Sequence, residues 1–224
     1  VLIWGAFVVT QETLPWAQWV CFVLSMGLLT GSGIIVAHEL GHQSNGVEQT
    51  LAKILLAMVC YMHFFIEHNQ GHHARVATPE DPASSRKGES FYQFYPRTVI
   101  GSFQSAVELE RQRLKRKGLS FWHPRNQMIW FTLIPVGITL SFALLMGKGA
   151  VLFFLAQSTL GFSFLELVNY VEHYGLQRKK TASGTYERVS PRHSWNSNQM
   201  LFNTYMLRLG MHAEHHAYPT RRYQ

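Results

Sequence analysis

Charge is missing from long stretches of this 224-residue chain. Residues 14–37 are a run of 24 without Asp, Glu, Lys or Arg, residues 128–146 also carry none, and residues 149–171 contain only Glu166. As a helix the first run would be about 36 Å long, more than a hydrocarbon core of about 30 Å. These gaps argue against a soluble protein, and the mean hydropathy of −0.03 only averages apolar spans with polar connectors. Cysteine is scarce too. Cys21 and Cys60 both lie in apolar runs and have no C-x-x-C spacing, which excludes a disulfide framework and fits packing roles in a reducing compartment. No repeat or low-complexity tract is visible. An initiator Met is lacking and residues 1–9 open inside an apolar run, so we expect an internal fragment whose residues 1–9 are the tail of an earlier span.

The charge that is present is placed unevenly. The formal net charge is +7, and 19 of the 20 Lys and Arg fall in residues 38–127 and 172–224, as do all twelve histidines. Residues 10–13, read as a tight turn on the opposite side, have none. By the positive-inside rule both polar stretches face the cytoplasm. A basic chain can also signal nucleic acid, but no nucleic-acid module is present and membrane orientation explains the bias. The expected fold is an all-α integral membrane protein, a transmembrane helix bundle with a cytoplasmic histidine-rich cap. We read residues 1–224 as one domain with spans at about 14–37, 128–146 and 149–171. Gly27 and Gly31, four apart, are suited to close helix approach. Residues 51–67 are read as a helix packed at the cytoplasmic boundary, 77–90 as an ordered loop, 107–117 as a charged helix, and 199–209 as a short helix.

Nine of the histidines form four boxes: His38-Glu-Leu-Gly-His42, His68-Asn-Gln-Gly-His72-His73, a lone His173, and His212-Ala-Glu-His215-His216. On a helix, residues four apart project from one face and can grip one ion. His38 with His42 has that spacing, and so has His68 with His72, leaving His73 on a neighbouring face. Neutral imidazoles suit Fe, Zn, Cu or Ni, so ligand type alone leaves the metal open. Nine ligands exceed what one ion accepts. An acid stands next to a histidine in each box, and Glu39, Glu67, Glu172 and Glu214 are expected to orient imidazoles through their distal N–H. His63 is a further candidate for that role, His193 lies in a loop expected to cover the site, and His123 reads as interfacial. An apolar substrate path is expected along Gly27, Gly31 and Ile34 on the first long helix and near Asn169 on the last, with Glu166 solvated or paired near the cytoplasmic end.

These boxes, with Phe-Phe-Ile-Glu-His-Asn-Gln-Gly-His-His, Val-Ala-Thr-Pro-Glu-Asp-Pro-Ala-Ser-Ser-Arg, Asn-Tyr-Val-Glu-His-Tyr-Gly-Leu, His-Ser-Trp-Asn-Ser-Asn and the terminal Ala-Tyr-Pro-Thr-Arg-Arg-Tyr-Gln, resemble the membrane alkane hydroxylases (alkane 1-monooxygenases). The resemblance runs in order along the whole chain. It implies two non-haem irons held by His38, His42, His68, His72, His73, His173, His212, His215 and His216. It also implies terminal hydroxylation of n-alkanes with O2, electrons from rubredoxin (with its reductase and NAD(P)H upstream), and a bacterial inner-membrane location with the metals facing the cytoplasm. The basic cluster Arg111, Arg113, Lys115, Arg116 and Lys117, near Arg86 and Lys87, is read either as a dock for an acidic rubredoxin or as a contact to anionic headgroups. Gly210-Met211 departs from the Gln-Arg usual before the last box, and Ala213-Glu214 replaces a more usual Ser-Asp. Other readings are a related di-iron oxygenase acting on alkyl-aromatic methyl groups or fatty acyl chains, an intramembrane zinc protease with Glu39 as base, and a metal carrier.

Overall fold

A computed structural model describes residues 1–11 and 14–221. The turn expected at 10–13 and the end of the terminal string fall partly outside these. The described residues contain ten α-helices and no β-strand. Three are long and apolar enough to cross a membrane: α2 (Trp16–Gly41), α7 (Gln127–Met146) and α8 (Lys148–His173). A shorter apolar helix, α1 (Leu2–Gln11), precedes them. Leu144 and Leu145 on α7 are 85% and 83% exposed, a surface that water penalises and lipid tails accept.

Small residues set the helix contacts. Gly31 and Gly161 face each other, and a Cβ on Gly31 would lie 3.3 Å from the Gly161 carbonyl oxygen. A Cβ on Gly27 would come within 2.6 Å of Leu160 Cβ. The paired positions rise together in number, so α2 and α8 run parallel and bring His38 and His173 to the same side of the bundle. Gly147, with φ of 80°, closes the α7–α8 hairpin.

The segment after α2 differs from the boundary helix expected at residues 51–67. Helix α3 (Gly46–Ala57), capped by the Asn45 side chain, turns back along α2 as far as the level of Gly31 and Gly161, where Val59 packs. The chain then breaks at residues 58–63 and returns through α4 (Phe64–Ile66), a π-helical turn (Glu67–His72) and α5 (His73–Arg75). Irregular backbone at membrane depth survives only where protein satisfies it. Buried Gln157 on α8 does so: its Nε2 donates to the Met58 carbonyl at 3.0 Å, and its Oε1 accepts from Thr30 Oγ1 at 2.7 Å. Sequence periodicity missed the break because Leu51–Ile66 is apolar throughout apart from a few polar positions. Gln157→Leu should destabilise the protein by about 1–3 kcal/mol, because it leaves that carbonyl only the longer 3.4 Å hydrogen bond from Ser158 Oγ. A melting temperature in detergent unchanged from wild type would show that the Ser158 hydrogen bond alone satisfies the carbonyl.

The charged helix expected at 107–117 is the last part of α6 (Phe91–Arg116), which a Ser90–Gln93 capping box starts. Its buried stripe includes Phe94, Thr98, Ser102, Ala106 and Glu110. Glu110 accepts from the Gln127 backbone N–H at 2.6 Å, tying the end of α6 to the positive N-terminus of α7. Glu166, expected to be solvated or paired, is buried. It accepts from Tyr61 and Thr98 at 2.8 Å each and from Asn169 at 3.3 Å, so its partners are neutral donors on the break, α6 and α8.

Candidate metal centre

Five elements deliver the nine box histidines to one place. They fall into two groups: His38, His42, His68, His73 and His215, and His72, His173, His212 and His216. Within each group one nitrogen per ring lies within 4.8 Å of every other. In the first, Nε2 atoms approach at 3.1 Å (His42–His68), 3.0 Å (His68–His73) and 3.2 Å (His73–His215). In the second, His173–His212 and His212–His216 approach at 3.1 and 2.9 Å. The groups adjoin, with the rings of His73 and His216 4.5 Å apart.

The second box shows why spacing alone was insufficient. His68 and His72 were expected to share an ion. Instead His68 pairs with His73, and His72 joins the other group. A π turn bonds over five residues rather than four, so it aligns side chains differently from an α turn. The turn is held by Glu67, which accepts from Arg75 at 2.9 Å and sits over Gly71; a Cβ there would collide with the Glu67 carboxylate. The last helix, α10 (His212–Ala217), likewise divides its histidines, sending His215 to the first group and His212 and His216 to the second.

These nitrogens fit metal ions. Two imidazoles bound at about 2.1 Å and at right angles stand about 3.0 Å apart, matching the N–N approaches above. Lone pairs aimed at one point repel unless a cation accepts them. His38 Nε2 and His72 Nε2 are buried without a hydrogen-bond partner. Burial, reinforced by neighbouring imidazoles, holds His42, His68, His73, His212, His215 and His216 below the usual imidazole range. Neutral rings are the form a metal needs.

His72 differs. Burial lowers its pKa, but the adjacent Asp81 carboxylate outweighs burial and the net shift is upward. His72 Nδ1 lies 2.9 Å from Asp81 Oδ2, which also accepts from Ser84 Oγ at 2.6 Å, while Oδ1 accepts from the Ala83 N–H at 3.1 Å. This carboxylate fixes Nδ1 as the protonated nitrogen and leaves Nε2 for a metal. Sequence reasoning missed Asp81 because it looked for acids adjoining the boxes. The signal lay in Thr-Pro-Glu-Asp-Pro, a loop more rigid than a connector requires.

The four acids expected beside the boxes behave differently. Glu172 Oε2 is 3.3 Å from His212 Nδ1, and Glu39 Oε1 is 3.4 Å from His38 Nδ1. Glu67 instead pairs with Arg75, and Glu214 with Arg221. Burial pushes Glu67 up to about 7, against the Ser105 hydrogen bond and the Arg75 charge. The loop at His193 lies over the second group: its carbonyl is 3.4 Å and Ser194 Oγ 3.5 Å from His173 Nδ1. His63 packs between Tyr61 and Phe103, and His123 Nδ1 accepts from the Arg125 N–H in a turn before α7. At Gly210, a Cβ would lie 2.5 Å from Asn203 Oδ1 and 2.9 Å from Phe202, so the glycine permits tight packing against α9 (Met200–Tyr205).

An apolar cavity of about 200 Å3 lies between α2, α8 and α9. Gly31, Ile34, Ile35, Val168 and Leu209 line it, with Leu28 farther up α2. Ile34 is one turn before His38 and Leu209 three residues before His212, so the inner end approaches both groups. Ser32 and Tyr205 hydrogen-bond beside it, joining α2 to α9. Of the residues expected along a substrate path, Gly31 and Ile34 line this cavity. Gly27 packs on Leu160, and Asn169 bonds Glu166.

Helices long enough to span a bilayer, ending together in two histidine groups able to hold metal, define a membrane protein with a histidine-rich metal site. The chain belongs to the fatty acid desaturase family, whose model matches residues 14–224. It is similar to alkane 1-monooxygenase 2 of Pseudomonas aeruginosa, at 47% identity over all of this chain and 60% of that protein. Alkane 1-monooxygenase of Acinetobacter baylyi is 42% identical over 99% of this chain and 54% of its own length. The xylene/toluene monooxygenase hydroxylase component of Pseudomonas putida is 26% identical over 87% of this chain and 52% of its own. The chain thus spans little more than half the length of these relatives.

Proposed function

We propose that this chain forms the metal-bearing part of an alkane 1-monooxygenase, with the overall reaction R-CH3 + O2 + 2e⁻ + 2H⁺ → R-CH2OH + H2O. The observation that carries this reading is the pair of adjoining all-histidine groups, with an apolar cavity lined by Ile34, one turn before His38, and Leu209, three residues before His212. The similarity to alkane 1-monooxygenases at 42–47% identity supports it. The nine histidines would hold two irons, which supply O2 activation when bound. The protein's own part is to hold the chain end in a dry pocket beside them, since C–H bonds offer no polar handle. An n-alkane partitions into the bilayer, so a cavity against lipid-facing helices suits it. The Lys/Arg bias supports a cytoplasmic metal site in the inner membrane, where rubredoxin could dock on exposed Lys115, Arg116 and Lys117.

An alkyl-aromatic substrate is the second reading, favoured only by the weaker likeness to the xylene/toluene enzyme. A zinc protease fits poorly, because such enzymes keep an open coordination position and here three further imidazoles crowd around His38 and His42. The test is anaerobic loading with Fe(II), then turnover of an n-alkane series with rubredoxin, its reductase and NADH. 1-Alkanols should form, and oxidation confined to alkyl-aromatics would sink the alkane reading. Leu28→Trp, at the outer end of the cavity, should shorten the longest alkane accepted while short alkanes still react. An unchanged chain-length profile would mean that the path runs elsewhere. Gly31→Leu is a poorer probe, since it would also push α8 away at Gly161.

A further inference from the structure

Two clefts join end to end on the α3–α7 side of the molecule. The first, of about 360 Å3, is apolar. Helix α3 lines it with Thr50, Lys53, Ile54 and Ala57, and α7 with Gln127, Trp130, Phe131 and Ile134. Both sets are spaced i, i+3, i+4, i+7, so each helix gives one continuous stripe. Ile54, Trp130 and Ile134 are exposed along it, on a face that meets lipid. Trp130 donates its indole N–H to the Pro124 carbonyl at 2.8 Å, which sets the ring at the start of the span, where interfacial tryptophans lie.

The second cleft, of about 620 Å3, is mostly polar and reaches His42 of the five-histidine group. Its lining includes the amide side chains of Gln43, Gln49, Asn69 and Gln70. Lys53 and Gln127 line both clefts and mark their junction. The Lys53 ammonium lies 4.5 Å from the Phe65 ring centre, and Phe65 itself lines the polar cleft. Among the described residues no carboxylate lines either cleft, and Lys53 carries the one formal charge in both.

A site apolar at one end, rich in donors at the other and bearing one cation at the junction is shaped for an amphiphile with an anionic head. We propose that this double cleft holds an anionic glycerophospholipid, one acyl chain between α3 and α7 and its phosphate beside Lys53. A zwitterionic lipid gains less, because its ammonium finds no carboxylate there. The head would stand at the polar opening beside His42, so membrane composition would tune how water reaches that group. This assignment does not depend on the hydroxylase reading.

The test incorporates the intact protein into nanodiscs of equimolar phosphatidylglycerol and phosphatidylcholine, extracts it in mild detergent and reads retained lipid by native mass spectrometry. Wild type should retain phosphatidylglycerol over phosphatidylcholine by about fivefold, the effect of one lysine near the membrane surface. Lys53→Gln should bring the ratio to parity. Gln70→Glu, an exposed rim position, should do the same if Lys53→Gln fails to assemble. Ile54→Trp, which fills the apolar cleft with Lys53 in place, should lower retention of both lipids. Equal retention by wild type, or a preference that survives Lys53→Gln or Gln70→Glu, would overturn the proposal. So would full retention in Ile54→Trp, or displacement of the lipid by millimolar inorganic phosphate, which would mean that only the anion binds.

Discussion

Replacing His173 with alanine should empty one metal position and leave the other filled. His173 belongs to the four-imidazole group, and its loss leaves three rings for one ion. Replacing His215 removes one of five and leaves four, which still make a closed tetrahedral set. Wild type should therefore hold about two irons per chain, His173→Ala about one and His215→Ala close to two. Turnover should fall to background in both, because each alters the surroundings of one of two adjoining ions. Metal content by mass spectrometry, read beside alkane turnover, checks this. Equal metal loss in both variants would reject the five-and-four division. His123→Ala, in the turn before α7, should leave metal content and activity nearly intact.

Asp81→Asn should weaken metal binding about 10- to 100-fold although the side chain keeps its shape. Asp81 uses both oxygens as acceptors, Oδ2 for His72 and Ser84 and Oδ1 for the Ala83 N–H. An amide can present an oxygen to only one of these two sides. If its NH2 faces His72, then His72 must accept at Nδ1 and carry its proton on Nε2, which blocks that nitrogen for a metal. If the NH2 faces Ala83, two donors meet in a buried site at a cost of about 1–3 kcal/mol. Either arrangement should show as faster metal loss to a chelator, with the second metal position less affected. Wild-type retention of both metals in Asp81→Asn would mean that His72 is oriented by packing alone. Asp81→Ala should be worse, since it leaves His72, Ser84 and Ala83 without their common partner.

Much of the architecture was legible along the chain because a bilayer imposes a one-dimensional rule. An uncharged run of sufficient length at residues 14–37 is enough to specify a long apolar helix, and α2 covers most of that run. The histidine boxes were equally plain, since imidazoles at helical spacing beside apolar runs have few other uses. Residues 51–67 were harder. Their apolar character is the same for a surface helix and for a chain that enters the bundle and turns back. What separates the two is Gln157, about a hundred residues later in sequence, donating to the Met58 carbonyl. Glu166 is a similar case: two of its three donors, Tyr61 and Thr98, come from distant elements, and near-neighbour patterning carries no record of them.

By itself, then, the sequence determined the helical membrane class, the identity of the nine clustered histidines and their placement at the ends of apolar helices. Those properties follow from hydrophobic length and from spacing within single turns. Tertiary structure alone decided which histidine joins which group, because a π turn at residues 67–72 changes the register that α-helical spacing assumes. It also decided that Asp81, rather than Glu67 or Glu214, supports a box histidine, and that Gly31 and Ile34 border a cavity while Gly27 is buried against Leu160. The physical reason is the same in each case. Side-chain direction and long-range contact depend on how helices pack, and packing is settled between elements far apart in the chain.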